Sequence, residues 1–247
     1  AQSGGPDILG LAEVENLKVV NDLASMDALS ANNYEAIHYN SPDTRGIDVA
    51  AIYNSKKFKL VESRSIEVPM PEDPAVKTRD ILFCKLQVRA SGVLVYAYVN
   101  HWSSRRDGPE VTFFKRENCA EALLADMESN IPNWERQPII IMGDLNDYPV
   151  DKSIYEVLGA KEPAANAKLI NLQYNNHAAG LGTYLHDGKW GCLDHIIVTP
   201  AMYDNAITQD AQILKEDWML YFPKNGEPGP NKTYGGSRYY GGYSDHL

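Results

Sequence analysis

The stretch "QPIIIMGDLNDYP", residues 137–149, places four apolar residues directly before a cluster of oxygen-bearing side chains. Residues 139–142 have the β-branched composition of a buried strand. Asp144, Asn146 and Asp147 follow within four positions, where that strand would end. Because side chains alternate between the two faces of a strand, Asp144 and Asn146 are expected to point the same way. Oxygen ligands so arranged suit a hard cation such as Mg²⁺ or Mn²⁺.

Two simpler interpretations of this stretch were weighed. The D-x-N spacing from Asp144 also opens a calcium-binding EF-hand loop, which needs Gly at its sixth position and Glu at its twelfth. Those positions hold Pro149 and Tyr155, so the EF-hand is excluded. An ordinary polar turn after a strand explains "NDYP" equally well when it is taken alone. Other parts of the chain are therefore needed to distinguish a polar turn from a metal site.

Polar side chains interrupt or end four other apolar runs. These stretches are "GLAEVEN" with Glu13, "YVNHWSSRRDG" with Asn100 and His101, "CLDHIIV" with Asp194 and His195, and "GYSDH" with Asp245 and His246. An unpaired carboxylate inside an apolar strand is costly unless it binds a partner. A single histidine at a strand end is more often structural, but five such clusters are hard to assign to structure together. Imidazoles and guanidiniums suit the charge that develops on a phosphate during displacement.

Apolar runs of strand length recur along the chain and dominate its organisation. They cover residues 8–14, 47–53, 81–88, 93–99, 139–142 and 193–198, and "RASG" at 89–92 predicts a hairpin turn. Helical spacing of apolar residues predicts one helix over 16–29 and another that begins near Pro109. This mixture favours an α+β or layered α/β class. Without a repeat or linker, residues 1–247 are predicted to form one domain, with 223–246 as a Gly/Tyr-rich loop outside the core.

Composition sets broad limits on function. The 247 residues are 44% hydrophobic and 23% charged, enough for a sizeable core. A net charge of −10 argues against loose binding to long nucleic acid, but not against a phosphate held by local cations and metal ions. No apolar run reaches the length of a transmembrane helix, and no signal peptide is visible. The compartment stays open, a secreted or periplasmic location with a removed signal peptide included, and no obligate protein partner is evident.

The cysteines give no sign of a metal site or a disulfide framework. Cys84, Cys119 and Cys192 are odd in number, widely spaced and without a C-x-x-C pair or a histidine at zinc-ligand spacing. They are expected to be buried free thiols.

Taken together, "LAEVEN", "NHWSSR", "GDLND", "LDHI" and "SDH" resemble the endonuclease/exonuclease/phosphatase family in order and approximate spacing. This family includes DNase I, the apurinic endonucleases, sphingomyelinases and inositol phosphatases, and the resemblance covers nearly the whole chain. It implies an α+β fold: a four-layer α/β/β/α sandwich of two mixed β-sheets, DNase I-like. It also implies an Mg²⁺- or Mn²⁺-dependent hydrolase of phosphate esters, either nucleic acids or small phosphoesters, that uses in-line attack of an activated water.

The resemblance assigns roles to individual residues around the metal and the water. Glu13 and Asp245 would serve the metal, with Asp245 a second-metal ligand or a residue behind the first. Asp144 would orient or deprotonate the attacking water, and Asn146 beside it would hold the phosphate.

Two histidines resemble the phosphate-facing pair of the family. His246 would be held by Asp194, and His101 by Asp48, which falls where some relatives keep an acidic partner. We expect Asp194 to accept a hydrogen bond from one ring nitrogen of His246 and so to raise its pKa. His195 would point to the opposite face of its strand and take no part in the chemistry.

Three further residues are candidates for binding substrate. Arg105 and Arg106 could pair with phosphate, with a solvated basic loop as an equally good alternative. Tyr98 sits where the apurinic endonucleases have a phosphate-contacting tyrosine, with plain strand packing as its alternative.

The sequence departs from the family pattern at both ends. Relatives begin with a strand that carries a metal-site asparagine upstream of the Glu13 motif, and they continue past S-D-H into one more strand. Both strands are expected to be missing, with an incomplete sequence as the favoured explanation. Two other functions were kept open: a sugar- or lipid-phosphate phosphatase of the same fold, and an inactive phosphate-binding module.

Overall fold

The computed structural model describes residues 5–163, 165–206 and 209–247. Its strands are β1 (Ile8–Val14), β2 (Tyr34–His38), β3 (Asp48–Asn54), β4 (Phe58–Ile66), β5 (Ile81–Val88), β6 (Leu94–His101), β7 (Ile139–Asp144), β8 (Ala160–Lys161), β9 (Leu169–Asn171), β10 (Tyr184–His186), β11 (Lys189–Gly191), β12 (Asp194–Val198), β13 (Leu220–Tyr221), β14 (Gly229–Pro230), β15 (Tyr234–Gly235) and β16 (Arg238–Tyr239). Its α-helices are α1 (Leu17–Ala24), α2 (Pro109–Asn130), α3 (Tyr174–Ala178) and α4 (Pro200–Tyr203).

Seven strands form the larger sheet, in the order β4-β5-β6-β7-β12-β9-β8. Most neighbours are antiparallel, but β6 and β7 run parallel, because the long helix α2 carries the chain from the end of β6 back to the start of β7. A smaller sheet has the order β1-β3-β2. The larger sheet is therefore mixed, whereas both pairings in the smaller sheet are antiparallel.

The two sheets pack face to face through an apolar cluster to which both contribute. Ala51 and Tyr53 of β3 lie in one cluster with Leu82 of β5 and with Ala97 and Val99 of β6. Alternation along the strands sends the neighbouring residues to the outer faces.

Helices cover the two outer faces. Leu123 and Met127 of α2 pack against Phe83 and Tyr98 of the larger sheet, in a second cluster. Val20 and other apolar residues of α1 pack in a third cluster against the smaller sheet. The layers therefore run α1, small sheet, large sheet, α2, which confirms the predicted α/β/β/α sandwich.

Local sequence explains where the two covering helices begin. Pro109 occupies the first turn of α2, where its missing N–H costs nothing. Asn16 caps α1 by accepting a hydrogen bond from the backbone N–H of Val19 at 3.1 Å. The predicted helix over 16–29 was too long: α1 ends at Ala24, and a 3₁₀ turn follows over Asp27–Asn32.

The predicted strands are confirmed, but the predicted loop and one edge strand differ from the structure. The six apolar runs are strands within a residue or two, but β4 was missed because its sequence "FKLVESRSI" mixes polar and apolar residues at the sheet edge. The segment 223–246 contains the short strands β14, β15 and β16 rather than loop alone.

All three cysteines are buried and free, as expected. No described helix has the length and apolar character needed to cross a membrane.

Gly143 allows β7 to approach β6 closely just before the polar cluster begins. Its φ is +123°, and a Cβ at this position would lie 2.0 Å from the carbonyl oxygen of Asn100 on β6. Backbone cannot move aside as a flexible side chain can. Glycine is therefore required where these two strands end.

We expect Gly143→Ala to lower the free energy of unfolding by roughly 3 kcal/mol, the sum of overpacking and left-handed backbone strain. Gly46→Ala is the matched control, since Gly46 also has a positive φ of +67° but open space around it. It should cost about 1–2 kcal/mol. Urea unfolding of both variants measures the difference, and equal losses would refute the close-approach argument.

Candidate active site

Strand register brings three predicted site residues into one row across the larger sheet. His101 pairs with Asp144 in the parallel β6–β7 ladder, and Asp144 pairs with Asp194 in the antiparallel β7–β12 ladder. Residues directly opposite on neighbouring strands point to the same face. Two strands therefore end, and a third begins, with side chains that converge on one point.

Asp144 is buried, and Asn146 holds its carboxylate in place. The backbone N–H of Asn146 donates to Oδ1 at 2.9 Å, and its side-chain Nδ2 donates to Oδ2 at 3.0 Å. Nδ2 also donates to the carbonyl oxygen of Trp102 at 3.0 Å. Asn146 adopts a φ of +52°, which asparagine tolerates well, and this turns the chain back toward Asp144. With its amide donors engaged, Asn146 positions Asp144 in this structure, and its phosphate contact stays a prediction.

Asp194 and His246 meet across 52 positions of sequence, which confirms the predicted contact. Nδ1 of His246 lies 2.7 Å from Oδ2 of Asp194. Thr183 also donates to this Oδ2, at 2.5 Å. The ring of Tyr184 packs 4.7 Å from the His246 ring, centroid to centroid. The ring is thus held from two sides, and its other nitrogen, Nε2, faces away from Asp194.

The electrostatics of the pair make His246 a cation at neutral pH. Burial lowers its pKa, but the hydrogen bond and charge of Asp194, with the charges of Asp144 and Asp245, outweigh burial and raise the pKa to about 9. Burial would likewise raise the pKa of Asp194, yet the hydrogen bond and charge of His246 lower it overall. The two groups therefore exist as an ion pair.

The pKa of Asp144 is shifted in the opposite direction to that of Asp194. Burial, followed by the like charge of Asp194, raises the pKa of Asp144 to about 7, while the charge of His246 opposes the rise. One carboxyl of the site is thus firmly ionised, while the other gains or loses a proton near neutrality. Such a separation is typical of carboxyls with different chemical roles.

His101 is neutral, unlike His246. Burial and the positive charges of Arg79, Arg45 and His246 hold its pKa well below the ordinary value. Its Nε2 lies 3.5 Å from Oδ2 of Asp144, and its buried Nδ1 has no hydrogen-bond partner within the described residues.

The acidic partner expected for His101 is engaged elsewhere. Asp48 accepts a hydrogen bond from Nε2 of His38 at 2.9 Å and two more from Ser41, at 2.9 Å from the backbone and 2.7 Å from the hydroxyl. The prediction that Asp48 would hold His101 is therefore wrong. The register of β2 and β3 explains why, since His38 and Asp48 both lie at the same end of that ladder.

Several residues that support the site were not foreseen. Arg79 is buried and donates to the carbonyl oxygens of His101 at 2.8 Å and Trp102 at 2.6 Å, and it pairs with Asp43 at 2.8 Å. Together these contacts fix the end of β6. Arg79 sits in a polar stretch, "KTRD", without apolar periodicity, so the sequence offered no signal for it. Thr183 and His38 were missed as well.

Glu13 was predicted to be a costly carboxylate inside an apolar strand, and this is wrong. The register of β1 shifts between Leu11 and Val14, and Glu13 at the shift has a φ of +57°. Its side chain is 55% exposed and pairs with Arg45 at 2.7 Å. Asp245 is exposed as well.

A closer group of potential metal ligands comprises Asp144, Asp194 and His246, whose ligand atoms all lie within 4.8 Å of one another. Neither Glu13 nor Asp245 belongs to this group.

The three candidate substrate contacts lie in different surroundings. Tyr98 is wholly buried, and its hydroxyl donates to Asp126 of α2 at 2.8 Å, so it packs within the fold, which agrees with the alternative interpretation of this residue. Arg105 lies 3.1 Å from Asp151 and 3.6 Å from Asp147, which already balance its charge. Arg106 is exposed to solvent.

His195 is turned away from the site, as predicted. It is buried, accepts a hydrogen bond from Asn171 at Nδ1, 3.1 Å away, and donates from Nε2 to the carbonyl oxygen of Asp147 at 2.9 Å. Burial is the main reason that its pKa falls to about 4. His195 is therefore a structural histidine.

Residues 1–247 match the family model described as endonuclease/exonuclease/phosphatase family. The chain belongs to this family. The expected resemblance is thus confirmed at the level of the family.

Solved structures share this fold at low sequence identity. The human nocturnin catalytic domain with bound sulfate is 23% identical, with a TM-score of 0.59 over 79% of this chain and 69% of that one. A Bacteroides thetaiotaomicron mannosyl-6-phosphatase is 20% identical, with a TM-score of 0.56 over 79% and 72%. The D. rerio TDP2 complexed with a single-strand DNA product is 17% identical, with a TM-score of 0.57 over 98% and 83%. No curated protein matches the sequence significantly.

In the chelator-treated protein, we expect the imidazole of His246 to titrate with a pKa of about 9. Asp194→Asn should bring this pKa to or below the ordinary value of about 6.5, because the burial that lowers it remains and the main charge that raises it is gone. An NMR titration of the histidine ring protons measures both values. An unchanged pKa in the variant would contradict the ion pair.

Proposed function

We propose that this protein is a divalent-metal-dependent phosphoester hydrolase in which an activated water attacks phosphorus in line with the leaving oxygen. The single observation that carries the proposal is the Asp194–His246 ion pair set beside buried Asp144 in one row of a family sandwich. An inactive phosphate-binding module has no physical need for two carboxyls with such different pKa values.

His246 would stabilise the charge that builds up on the phosphate. It is charged at neutral pH, and Asp194 and Tyr184 fix its ring, so no reorganisation is needed during the reaction. A fixed cation favours the transition state, where phosphate oxygens gain negative charge, over the ground state. Neutral His101, at the end of β6, would donate a further hydrogen bond to the phosphate.

Asp144 would act on the water. With a pKa of about 7, its carboxylate can take a proton near neutral pH, which is the best range for a general base. Asn146 fixes both carboxylate oxygens, so the base points in one direction. The proton that leaves the water would then reside on Asp144 until the product departs.

The residues present fit a divalent cation. Asp144 and Asp194 bring two carboxylates among ligand atoms that lie within 4.8 Å of one another, and hard cations prefer such oxygen ligands. Glu13 offers a solvent-accessible carboxylate whose only ion-pair partner within the described chain is Arg45, a half-exposed contact of small energetic value. The charge of Arg45 contributes to the lowered pKa of His101, which supports a position of the Glu13–Arg45 pair near the site.

Glu13 would therefore exchange Arg45 for Mg²⁺ or Mn²⁺, with Asp245 as a further oxygen ligand. A bound divalent cation would supply Lewis-acid polarisation of a phosphate oxygen. His246, as an imidazolium, has no lone pair to offer the metal and would act on the phosphate instead.

Two classes of phosphate ester are candidate substrates within this proposal. The family neighbours include a phosphatase of a sugar phosphate and TDP2 with a single-strand DNA product. A phosphodiesterase or nuclease is favoured here, with a sugar- or lipid-phosphate phosphatase of the same fold as the alternative. Arg106 is the exposed candidate for a phosphate contact, whereas Arg105 would first have to leave Asp147 and Asp151.

We expect the protein to hydrolyse bis-p-nitrophenyl phosphate with Mg²⁺ or Mn²⁺ and to stop when a chelator is added. Asp144→Asn and His246→Gln should each lower kcat by a factor of roughly 10²–10³, because each removes one preorganised group. Asp187→Asn and His186→Gln are matched controls on exposed side chains and should keep full activity. A chelator-insensitive rate, or an active Asp144→Asn, would overturn the proposal.

Metal binding can be tested without turnover. We expect Mg²⁺ or Mn²⁺ to raise the melting temperature of the wild type, and Glu13→Gln to reduce this increase, whereas Glu15→Gln, an exposed neighbour, should not. Arg45→Ala should enlarge the increase, since it removes the cation that competes for Glu13. If Glu13→Gln responds to the metal as the wild type does, Glu13 is not a ligand.

A further inference from the structure

A cluster of exposed aromatic side chains lies on the C-terminal part of the chain. Trp218, Tyr234, Tyr239, Tyr240 and Tyr243 are each more than half exposed, and we call these five residues the aromatic platform. Single exposed aromatics are common, but a group of this kind on one short segment marks a binding surface.

The aromatic platform has a defined structure. Tyr234 pairs with Tyr239 across the β15–β16 hairpin, and their rings lie 5.2 Å apart. Backbone hydrogen bonds extend this hairpin toward its base, from Tyr240 to Thr233 at 2.8 Å and from Gly242 to Lys232 at 3.2 Å. Trp218 packs edge-on against Tyr243 at 5.3 Å. The exposed rings are thus presented at fixed positions, which lowers the entropy cost of binding.

This surface adjoins the candidate active site. Tyr243 precedes His246 by three residues, a span of at most about 10 Å. Lys232 lies over the ring of Tyr184 at 5.9 Å, and Tyr184 packs on the His246 ring. A ligand whose phosphate reaches His246 would therefore extend over the aromatic platform.

The charges around the rings favour one chemistry of ligand. Residues 217–245 carry three basic side chains, Lys224, Lys232 and Arg238, and three acidic ones, Asp217, Glu227 and Asp245, so this segment is neutral although the whole chain has a net charge of −10. Arg238 lies over the ring of Tyr240 at 5.1 Å, which sets a cation among the aromatic faces. Flat apolar faces interspersed with cations complement a chain of bases and phosphates. Neutral sugars would match the rings but not the cations.

We infer that the aromatic platform binds the unpaired bases of single-stranded nucleic acid that flank the phosphodiester held at His246. Bases within a duplex are stacked on one another, so only an unpaired strand offers them to Tyr239, Tyr240 and their neighbours. Lys232 and Arg238 would contact the intervening phosphates. The inference rests on the proposed function and specifies its substrate class.

Binding is tested by fluorescence anisotropy of a labelled twelve-nucleotide oligothymidylate in chelator, where no cleavage is expected. The wild type should bind it roughly tenfold or more tightly than an abasic strand with the same phosphates, and more tightly than a duplex of equal length. Tyr239→Ala combined with Tyr240→Ala should remove this preference, and the corresponding Phe pair should retain it. Val111→Ala combined with Phe113→Ala, on exposed positions of α2, is the control and should bind normally.

Lys232→Ala combined with Arg238→Ala should weaken binding of both strands and flatten its salt dependence. Equal affinity of the wild type for the thymidylate and abasic strands would overturn the inference. So would displacement of the labelled strand by a neutral oligosaccharide, which would assign the platform to sugar. Hydrolysis of bis-p-nitrophenyl phosphate should be unchanged in the Val111/Phe113 control variant. If neither the wild type nor any variant hydrolyses bis-p-nitrophenyl phosphate with Mg²⁺ or Mn²⁺, the proposed function fails. The anisotropy measurements still show in that case whether the aromatic platform binds a single strand.

Discussion

The parallel pairing of β6 with β7 is the constraint on which the site depends. Parallel strands end at the same edge of a sheet, so His101 and Asp144 arrive together, and the antiparallel strand β12 starts there with Asp194. Gly143 permits the close approach of the two parallel strands, and Arg79 binds the carbonyl groups where β6 ends. The geometry of the chemistry is thus set by backbone pairing before any side chain makes a contact.

The same row creates an electrostatic conflict that gives its members different properties. Two carboxyls beside each other cannot both be ionised without help, and His246 pairs with only one of them. Asp194 therefore keeps its charge, while Asp144 has a raised pKa and can exchange a proton. Burial lowers the pKa of both histidines, but their net shifts are opposite, because His246 has a carboxylate partner at hydrogen-bond distance and His101 faces cations.

Much of the fold could be predicted from the sequence because the central strands are long apolar runs with clear punctuation. The strand β4 could not, because at the sheet edge it exposes polar residues among its apolar ones. The contact between Asp194 and His246 followed from the family motifs. The partners of Asp48 and Tyr98 did not, because a side chain's neighbours depend on register and on the layer it faces, which no short motif encodes. Glu13 was misjudged because a register shift turns it outward in the middle of an apolar run.

His246 is carried by the segment that displays the exposed rings, not by the sheet that holds its partners. It is attached to the sheet side through Asp194, through a bridge to Tyr184 and through the hydrogen bond from the backbone of Leu247 to Thr183 at 2.8 Å. The candidate active site is therefore assembled from two separately encoded parts. Insertions or substitutions between residues 217 and 243 would change the exposed rings, provided that these three attachments survive. The strands that carry Asp144 and Asp194 would not have to change with them.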